Sequence, residues 1–330
     1  MSDTFKALVL EQKDGKTVNT FKQLSLGDLP DGEVLVAVSH SSLNYKDGLA
    51  ITGTGKIIRN FPFVPGIDLV GKIEASQSDQ FKVGDPVLLT GWGVGERRWG
   101  GYAQKARVNA QWLTHLPKGL TPARAMAIGT AGFTAMLSVM ALEKHGIDKA
   151  AGPVLVTGAN GGVGTIAVSL LAALGYEVTA STGRLEESDF LLKLGAKHIL
   201  PRSELSRQSK PLEKERWNCA IDTVGGEPLA TLLSQMRYGT AVAACGLAAG
   251  VPLPTTVFPF ILRNVALLGI DSVMCPAPRR EVAWQRIAEK LSMESLDSLT
   301  TTIDFADLPD AANTILQGGI RGRTVVNINS

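Results

Sequence analysis

Residues 154–175 read VLVTGANGGVGTIAVSLLAALG, and this stretch decides the fold class. It begins with a short apolar run typical of a buried strand and ends in a longer apolar pattern typical of a helix. Gly161, Gly162 and Gly164 stand between the two, and Gly175 follows the helical pattern. A glycine-rich turn between a strand and a helix is the fingerprint of a dinucleotide-binding unit. The alternative is a tight turn that binds no ligand.

The spacing of the glycines predicts a role for each. Gly161 lets the backbone approach a pyrophosphate, and Gly164 lets the helix pack close to the strand. Val163 lies between them in the first helical turn, whose free N–H groups and positive dipole end are suited to face phosphates. Ala159 stands where the first glycine of the fingerprint is usual, a tolerable departure. We therefore expect the turn at residues 161–164 to hold a pyrophosphate.

The pattern of predicted strands and helices differs between three parts of the chain. Residues 123–273 alternate between strand and helix patterns, which indicates a parallel, doubly wound sheet. Their last apolar segment, VALLGIDSV, could supply an edge strand available for pairing with a second copy. Residues 1–122 show short strands separated by turns, which indicates a β-barrel-like domain. Residues 274–330 read as helix, strand, helix and strand, and we expect them to return to the first domain.

The end of the strand YEVTAST predicts the cofactor. An NAD site places Asp or Glu there to accept from the ribose 2′-hydroxyl, whereas this chain has Ser181, Thr182 and Arg184. Two hydroxyls and a positive charge suit the 2′-phosphate of NADPH. Glu186 and Glu187 lie nearby but fall in the following helix pattern. The alternative for Arg184 is a solvated residue at the start of that helix.

The composition is that of an ordinary soluble globular protein, with 45% apolar residues, 19% charged residues and a net charge of +2. That balance gives no reason to expect nucleic acid or an anionic membrane as a partner. We expect no membrane span, because glycine and charge break the longest apolar blocks. The N-terminal sequence lacks the pattern of a signal peptide, so a cytoplasmic location is expected.

The residues that commonly bind metals or form disulfides show no useful pattern. The three cysteines are widely spaced and odd in number, which indicates small buried side chains and no disulfide framework. The four histidines are scattered without metal-ligand spacing. The sequence therefore predicts no metal site.

Several stretches are far more specific than a glycine turn: SSLNYKDGLAITGTGKIIRNFP, PGIDLVG, LLTGWGVGERRWGG, IGTAGFTAM, TGANGGVG, ACGLA and LPTTVFPFILRNV. Through them nearly the whole chain resembles the medium-chain dehydrogenase/reductase superfamily, in its zinc-free quinone oxidoreductase branch. It looks most like the NADPH-dependent acrylyl-CoA reductases. The resemblance implies an α/β fold, in which both chain ends form a GroES-like, β-rich catalytic domain around a central Rossmann domain, usually in a homodimer.

The positions of the family's metal ligands support the zinc-free branch. Zinc alcohol dehydrogenases carry a cysteine where this chain has Asn44, and a Gly-His-Glu triplet where it has Gly66, Ile67 and Asp68. Their cysteine-rich structural lobe is replaced by GWGVGERRWGG. Without the sulfur and imidazole ligands, neither zinc site is expected to assemble.

The resemblance also implies a set of cofactor contacts. Tyr45 is expected beside the nicotinamide, and the turn Gly161-Gly162-Val163-Gly164 at the pyrophosphate. The remaining implied contacts are Ser181, Thr182, Arg184 and Arg202 at the adenosine phosphate end, Leu247, Ile261 and Ser272 along the nicotinamide side, and Arg323 as a weaker candidate for a phosphate. Leu247 and Ile261 could instead be core residues, and Arg202 and Arg323 could be solvated.

The implied reaction is the reduction of a short enoyl-CoA, acrylyl-CoA, to propionyl-CoA by hydride transfer to the β-carbon, without a metal. Tyr45 is the best-placed proton donor, and a role limited to binding the cofactor is an equal alternative. Asn44 and Asp47 are expected to shape the loop rather than to do chemistry. Candidates for the coenzyme A phosphates, or ordinary solvated charges, are Lys56, Arg59, Arg97 and Arg98.

Two other functions fit the same motifs. An NADPH:quinone oxidoreductase could share most of them, and a wide apolar cleft without an anion site would favour it. A basic rim would favour a coenzyme A ester instead. A non-catalytic NADPH-binding sensor or interaction protein is the alternative from another class.

Overall fold

The computed structural model describes residues 4–330. They form two compact units. The first contains the residues up to Thr130 together with Val273–Ala288 and Leu296–Ser330. The second contains Ala131–Ser272 and Glu289–Ser295. Segments near both ends of the described residues therefore lie in the first unit.

The strands and helices are numbered in chain order. The strands are β1 (Thr4–Lys13), β2 (Lys16–Ser25), β3 (Val34–Leu43), β4 (Asp68–Ser76), β5 (Pro86–Thr90), β6 (Lys105–Val108), β7 (Thr114–His115), β8 (Val154–Val156), β9 (Val178–Thr182), β10 (His198–Pro201), β11 (Trp217–Asp222), β12 (Met236–Ala244), β13 (Ala266–Gly269), β14 (Thr300–Asp304) and β15 (Arg323–Asn327). The helices are α1 (Tyr45–Thr52), α2 (Pro122–Lys144), α3 (Gly162–Ala173), α4 (Ser188–Lys193), α5 (Gly226–Ser234), α6 (Phe258–Arg263), α7 (Ala277–Lys290), α8 (Met293–Ser298) and α9 (Leu308–Leu316).

The second unit is built on a six-stranded sheet in the order β10-β9-β8-β11-β12-β13, and every neighbouring pair is parallel. The strands β8, β9 and β11 are buried along their whole length, as expected where helices cover both faces of a parallel sheet. The strand order reverses between β8 and β11, and ligands bind at such a switch point in open α/β sheets. The predicted doubly wound sheet is confirmed, with β13 at its edge.

The first unit has a mainly antiparallel sheet in the order β14-β15-β3-β4-β5-β7, with β6 also paired to β3. The strands β1 and β2 form a separate antiparallel pair. The tail contains the predicted helix, strand, helix and strand as α7, β14, α9 and β15, and the short helix α8 was not predicted. Because β15 pairs with residues 40–43 of β3, the C-terminal strand belongs to the same sheet as a strand near the start of the chain.

The helix α2 is capped at its start, is long and apolar, and is broken at one residue. It begins at Pro122, with the Thr121 hydroxyl accepting from the Arg124 N–H at 3.2 Å, as a cap should. By length and composition it could span a membrane, so the expectation that glycine and charge break every long apolar block was wrong. Most of its apolar stretch is buried inside the protein, which is typical of a core helix. It also breaks at Gly129, where φ is 50° and ψ is −159°.

Candidate functional site

The glycine turn joins β8 to α3 as the sequence predicts. Gly158 has a φ of +60°, a conformation that favours glycine. A Cβ atom on Gly164 would collide with the carbonyl oxygen of Gly158 and would lie 2.7 Å from the Cα of Ala159. Gly164 is therefore required for the close approach of α3 to the turn.

The same turn offers a backbone surface suited to a pyrophosphate. The first N–H groups of a helix have no partner within the helix, and the dipole of α3 places partial positive charge at this end. A Cβ atom on Gly161 would meet only the Gly158 carbonyl oxygen, at 3.3 Å, so the glycine leaves the backbone open on its other sides. Gly162 and Val163 form the first turn of α3. The residues present therefore fit a dinucleotide phosphate.

At the carboxyl end of β9, the hydroxyl of Thr182 is engaged within the protein. It donates to Asn160 Oδ1 and accepts from the Arg184 N–H at 2.9 Å. Its one hydrogen is thus used to hold the turn. To donate to a phosphate, the Thr182 hydroxyl would have to give up its hydrogen bond to Asn160. Ser181 is buried beside it, and its carbonyl accepts from the Ala159 N–H at 3.1 Å.

Two arginines flank Gly183 after β9. Arg184 donates through Nη2 to the carbonyl of Asn160 at 3.4 Å, and its Nε lies 3.4 Å from Glu187 Oε2. Arg202 is exposed, and its guanidinium lies so close to Gly183 that a Cβ atom there would be 2.9 Å from the arginine Cζ. The structure therefore brings the predicted residues of the adenosine phosphate end together.

Asn160 and Glu187 complete this network, and neither was predicted as a site residue. Asn160 Nδ2 donates to Glu187 Oε2 at 2.7 Å. The Glu187 carboxylate is also paired with Arg184, so it presents less negative charge to a phosphate than a free carboxylate would. Asn160 could have been found from its place inside the glycine turn, whereas Glu187 could not, because its role depends on a contact between two loops.

The end of β11 supports the glycine turn from the other side. Asp222 Oδ1 accepts from the Thr157 hydroxyl at 2.6 Å, and its Oδ2 accepts from the Gly225 N–H at 2.8 Å. Burial raises the pKa of Asp222, and these hydrogen bonds oppose that rise. The Thr157 hydroxyl in turn accepts from the Thr223 N–H at 3.0 Å. The turns after β8 and β11 are therefore fixed to each other.

A groove lies at the carboxyl ends of β12 and β13. Its lining residues are Ala244, Cys245, Gly246, Leu247, Gly269, Ile270 and Asp271. The side chain of Leu247 is 64% exposed and that of Ile261, on α6, is 68% exposed. The alternative that these two are core residues is therefore wrong. Ser272 is half-buried and directly follows the groove residue Asp271.

Tyr45 is the first residue of α1 in the first unit, and it is 55% exposed. Asn44 caps the helix, and Asp47 Oδ2 accepts from the Asn44 N–H at 2.9 Å. Asp47 Oδ1 accepts from the Ile67 N–H at 3.0 Å, which ties α1 to the segment before β4. These contacts agree with the expectation that Asn44 and Asp47 shape the loop that presents Tyr45.

Asp68 is the centre of a buried polar cluster in the first unit. Its Oδ1 accepts from the Thr130 hydroxyl at 2.5 Å. Its Oδ2 accepts from the Ser42 hydroxyl at 2.5 Å, the Thr130 N–H at 2.9 Å and Asn44 Nδ2 at 3.1 Å. The Thr130 N–H points at the carboxylate because α2 breaks at Gly129, so Asp68 caps the helical turn that follows the break.

The pKa values of two further titratable groups in this region, Asp47 and Tyr102, are raised. Burial, with the negative charge of Asp68 as a second cause, raises the pKa of Asp47 to about 7. Burial also raises the pKa of Tyr102 well above its ordinary value, and its hydroxyl donates to the Ser42 carbonyl at 2.9 Å. A buried carboxyl that titrates near neutral pH is a common feature of functional regions.

Arg323 lies in the same buried region, at 3% exposure. Its Nε donates to the Ala127 carbonyl at 2.7 Å and its Nη1 to Asn44 Oδ1 at 3.3 Å. Burial lowers its pKa, and the nearby Asp68 and Asp47 oppose that effect. The alternative of a solvated Arg323 is therefore wrong. Its Nε and Nη1 thus donate to groups of the protein itself, and its Nη2 is buried without a hydrogen-bond partner among the described residues, so the phosphate contact stays a prediction.

The residues at the family's metal positions do not fit zinc. Asn44 and Asp68 hydrogen-bond to each other, and the carboxylate oxygens of Asp68 are filled by hydroxyl and N–H donors. Within residues 4–330 no group of three or more His, Cys, Asp or Glu side chains could hold a metal ion. Arg323 brings a positive charge into this region, where the zinc enzymes have their metal.

Comparison with known families identifies both units. The alcohol dehydrogenase GroES-like domain matches residues 30–118, and the zinc-binding dehydrogenase family matches residues 162–289. The second family's name mentions zinc, although the ligand positions of this chain do not suit it. The predicted combination of a GroES-like domain and a Rossmann domain is confirmed.

Three relatives match the chain from end to end. The acrylyl-CoA reductase AcuI of Ruegeria pomeroyi is 55% identical, over 99% of this chain and 100% of its own length. The crystal structure of Escherichia coli K-12 YhdH with bound NADPH has a TM-score of 0.96 at 54% identity, covering 98% of this chain and 100% of that one. The structure of Bacillus subtilis YhfP with NAD bound has a TM-score of 0.96 at 44% identity, covering 99% of this chain and 100% of that one.

The fold, the glycine turn and the end-to-end identity agree with the predicted family. The chain belongs to the medium-chain dehydrogenase/reductase superfamily, and within it to the family of the acrylyl-CoA reductases.

Proposed function

We propose that this chain catalyses the NADPH-dependent reduction of acrylyl-CoA to propionyl-CoA. The observation that carries the proposal is the 55% identity to an acrylyl-CoA reductase over 99% of the chain. The balanced reaction consumes one hydride and one proton for each carbon–carbon double bond. Negative charge develops on the thioester oxygen, so the protein must position the reactants and stabilise that charge.

When bound, NADPH supplies the hydride that is added to the β-carbon. Gly161, Gly162, Val163 and Gly164 hold the pyrophosphate through their backbone and through the N-terminus of α3. The residues that recognise the adenosine phosphate end are Ser181, Thr182, Arg184 and Arg202, and those that line the nicotinamide side are Leu247, Ile261 and Ser272. Support for NADPH comes from the structure of YhdH, whereas YhfP was crystallised with NAD.

Tyr45 is the proposed proton donor to the α-carbon of the substrate. Its phenol is exposed at the start of a helix that Asn44 and Asp47 hold in place, and this makes it available to a ligand. The competing role is a hydrogen bond to the cofactor only, with the proton supplied by solvent. General acid catalysis by one side chain contributes typically 10²–10⁴-fold, so the two roles differ measurably.

The variant Tyr45→Phe tests this role. Loss of a proton donor lowers kcat with acrylyl-CoA by about 100-fold or more, and a solvent isotope effect on kcat appears in the wild type. Loss of a cofactor contact alone raises the KM for NADPH by a factor of about ten and leaves kcat within a few-fold. The second result would assign the proton to solvent.

Two alternatives remain distinguishable by activity. YhfP carries a provisional name as a quinone oxidoreductase and is 44% identical over 99% of this chain, which is the observation in favour of a quinone substrate. Turnover of 1,4-benzoquinone without turnover of acrylyl-CoA would establish that function. Binding of NADPH without turnover of either substrate would establish a non-catalytic sensor or interaction protein.

The domain limits, the location and the substrate class follow the same proposal. We propose a catalytic domain from residues 1–122 and 274–330 and a nucleotide domain from residues 123–273. The two compact units follow this division in outline, except that the first unit extends to Thr130 and that Glu289–Ser295 belongs to the second unit. The substrate is a small molecule rather than a nucleic acid or a membrane, and we propose that it is reduced in the cytoplasm.

A homodimer is proposed through β13. This strand lies at one of the two edges of the six-stranded sheet, so it can pair with the same strand of a second copy. Exposed apolar side chains of the preceding helix α6, Phe258 and Leu262, offer further area to bury. Light scattering would give a mass near twice 35.0 kDa for the dimer. A mass of one chain at micromolar concentration would contradict it.

A further inference from the structure

Two surface loops of the first unit are rich in positive charge. They are residues 53–61, GTGKIIRNF, and residues 91–101, GWGVGERRWGG, here called the two basic loops. Between them they contain Lys56, Arg59, Arg97 and Arg98, and their one acidic residue is Glu96. The excess of positive charge makes these loops a candidate binding surface for an anion.

The two basic loops are fixed to one hydrophobic cluster. The buried residues of the cluster are Leu10, Ala50 and Phe63. Trp99 from the second loop and Ile57 and Ile58 from the first loop pack against it. The positive side chains of the two loops are therefore presented from neighbouring, anchored segments rather than from independent ones.

An ion pair joins the second basic loop to the helix that carries Tyr45. Lys46 Nζ lies 2.7 Å from Glu96 Oε1. Since Lys46 follows Tyr45 in the first turn of α1, the loop is held beside the proposed catalytic residue. The pair also compensates the charge of Glu96, so the acid does not neutralise the other cations.

The four cations of the loops differ in their engagement. Arg98 Nη1 donates to the Trp92 carbonyl at 2.8 Å, and its guanidinium lies 4.7 Å from the ring centre of Trp112, so it is used to hold the loop. Lys56, Arg59 and Arg97 are exposed, and across the part of the chain that the structure describes none of them forms an ion pair.

We propose that Lys56, Arg59 and Arg97 bind the phosphate groups of the coenzyme A part of the substrate. The inference rests on the proposed function and deepens it, because it names the residues that distinguish a coenzyme A ester from a quinone. Coenzyme A carries a pyrophosphate and a further phosphate on its ribose, and arginine and lysine bind such groups by charge-assisted hydrogen bonds. A quinone has no anion for this surface.

The test compares two thioesters with the same reacting group. Acrylyl-CoA carries the phosphates, and acrylyl-N-acetylcysteamine lacks them. The triple variant K56Q/R59Q/R97Q is expected to raise the KM for acrylyl-CoA at least tenfold with little change in kcat. The KM for the N-acetylcysteamine thioester stays within about twofold. An equal loss on both substrates, or no loss on either, overturns the inference.

A matched control removes three positive charges elsewhere in the same unit. Lys13, Lys72 and Lys82 are exposed, and they lie outside the two basic loops. The variant K13Q/K72Q/K82Q has the same change in net charge, and its KM for acrylyl-CoA is expected to stay within about twofold. A tenfold rise in the control would show a general effect of charge and overturn the inference.

Calorimetric binding of free coenzyme A separates the two proposals. Wild-type protein that binds coenzyme A at least tenfold more tightly than K56Q/R59Q/R97Q supports the surface, whatever the turnover. If it binds coenzyme A in this way but does not reduce acrylyl-CoA, the proposed function fails and the binding surface stands. If both proteins bind coenzyme A equally, the surface is overturned even when acrylyl-CoA is reduced.

Discussion

Asn44 Nδ2 donates to Asp68 Oδ2 at 3.1 Å, so the residue at the cysteine position of zinc alcohol dehydrogenases is hydrogen-bonded to a residue in the place of their Gly-His-Glu triplet. Arg323 donates to the same asparagine, through Asn44 Oδ1 at 3.3 Å. An internal network of hydrogen bonds, with an arginine beside it, thus takes up the region where a metal would be held. The arrangement explains how the cluster is stable without sulfur or imidazole ligands.

This relationship predicts that the enzyme works without zinc. Dialysis against a chelator is expected to leave turnover and thermal unfolding unchanged, because the oxygens of Asp68 already have protein donors. Elemental analysis checks the same point and should give well under one zinc per chain. Loss of activity that added zinc restores would contradict the assignment.

The break in α2 predicts a strong effect of one methyl group. A Cβ atom on Gly129 would lie 2.6 Å from Asp68 Oδ2 and 3.1 Å from Ser42 Oγ, in a conformation with φ of +50°. Gly129→Ala is therefore expected to lower the free energy of unfolding by about 2–4 kcal/mol, from backbone strain and the displaced carboxylate together. Urea or thermal unfolding of the two proteins measures it.

Gly146→Ala is the matched control for that substitution. Gly146 has a φ of +88°, but a Cβ atom there would have no atom within 4 Å. Gly146→Ala should lower the free energy of unfolding only by the cost of the left-handed conformation, about 1–2 kcal/mol. If both variants were destabilised equally, contact with the Asp68 cluster would not be the reason that residue 129 is glycine.

Gly129 also shows where prediction from sequence ended. An isolated glycine in a helical pattern is tolerated at a cost of about 1 kcal/mol, so nothing local in TPARAMAIGTAGFTAM signals a break. The break is stabilised by Asp68, more than sixty residues away in sequence. In contrast, the turn at Gly161–Gly164 was predictable, because its strand, glycines and helix are contiguous.

The buried carboxyl of Asp47 predicts a pH-dependent stability. Its pKa is about 7 in the folded protein, against 3.8 ordinarily. Between these values the folded state holds a proton that the unfolded state has lost. The contribution of Asp47 to the free energy of unfolding is therefore full below about pH 4. It falls by up to about 1.4 kcal/mol per pH unit as the pH rises towards 7.

Denaturant unfolding at several pH values between 5 and 8 checks this slope. The free energy of unfolding of the wild type minus that of Asp47→Asn should fall with rising pH up to about 7 and then become constant. The exposed residue Asp79 gives the control, because Asp79→Asn should run parallel to wild type. A wild-type curve parallel to that of Asp47→Asn would show that the carboxyl is ionised throughout.

Arg184, which is paired with Glu187, is expected to set the preference for NADPH over NADH. Arg184→Gln removes the positive charge proposed to meet the 2′-phosphate, and hydrogen bonds to charged groups contribute about 1.5–3 kcal/mol. The kcat/KM with NADPH is expected to fall about 10- to 100-fold, while that with NADH stays within about threefold. An equal fall with both cofactors would mean that Arg184 supports the turn and does not read the phosphate.

The limits of prediction at the nucleotide end have a common physical cause. Leu247 and Ile261 are apolar, and sequence periodicity does not distinguish an apolar residue in the core from an exposed one that binds a ligand. In the structure both residues are more than 60% exposed. For Arg323 the residue type predicts exposure, because arginine is usually solvated. In the structure it is buried, because partners distant in sequence accept its hydrogen bonds. Residue type and spacing locate such positions, and their burial depends on contacts distant in sequence.

The most direct test of the account is the oxidation of NADPH at 340 nm with acrylyl-CoA, run beside 1,4-benzoquinone and with NADH in place of NADPH. The account predicts fast turnover with acrylyl-CoA and NADPH, much slower turnover with NADH, and little with the quinone. Turnover of the quinone alone, or turnover of acrylyl-CoA that is equally fast with NADH, would contradict it.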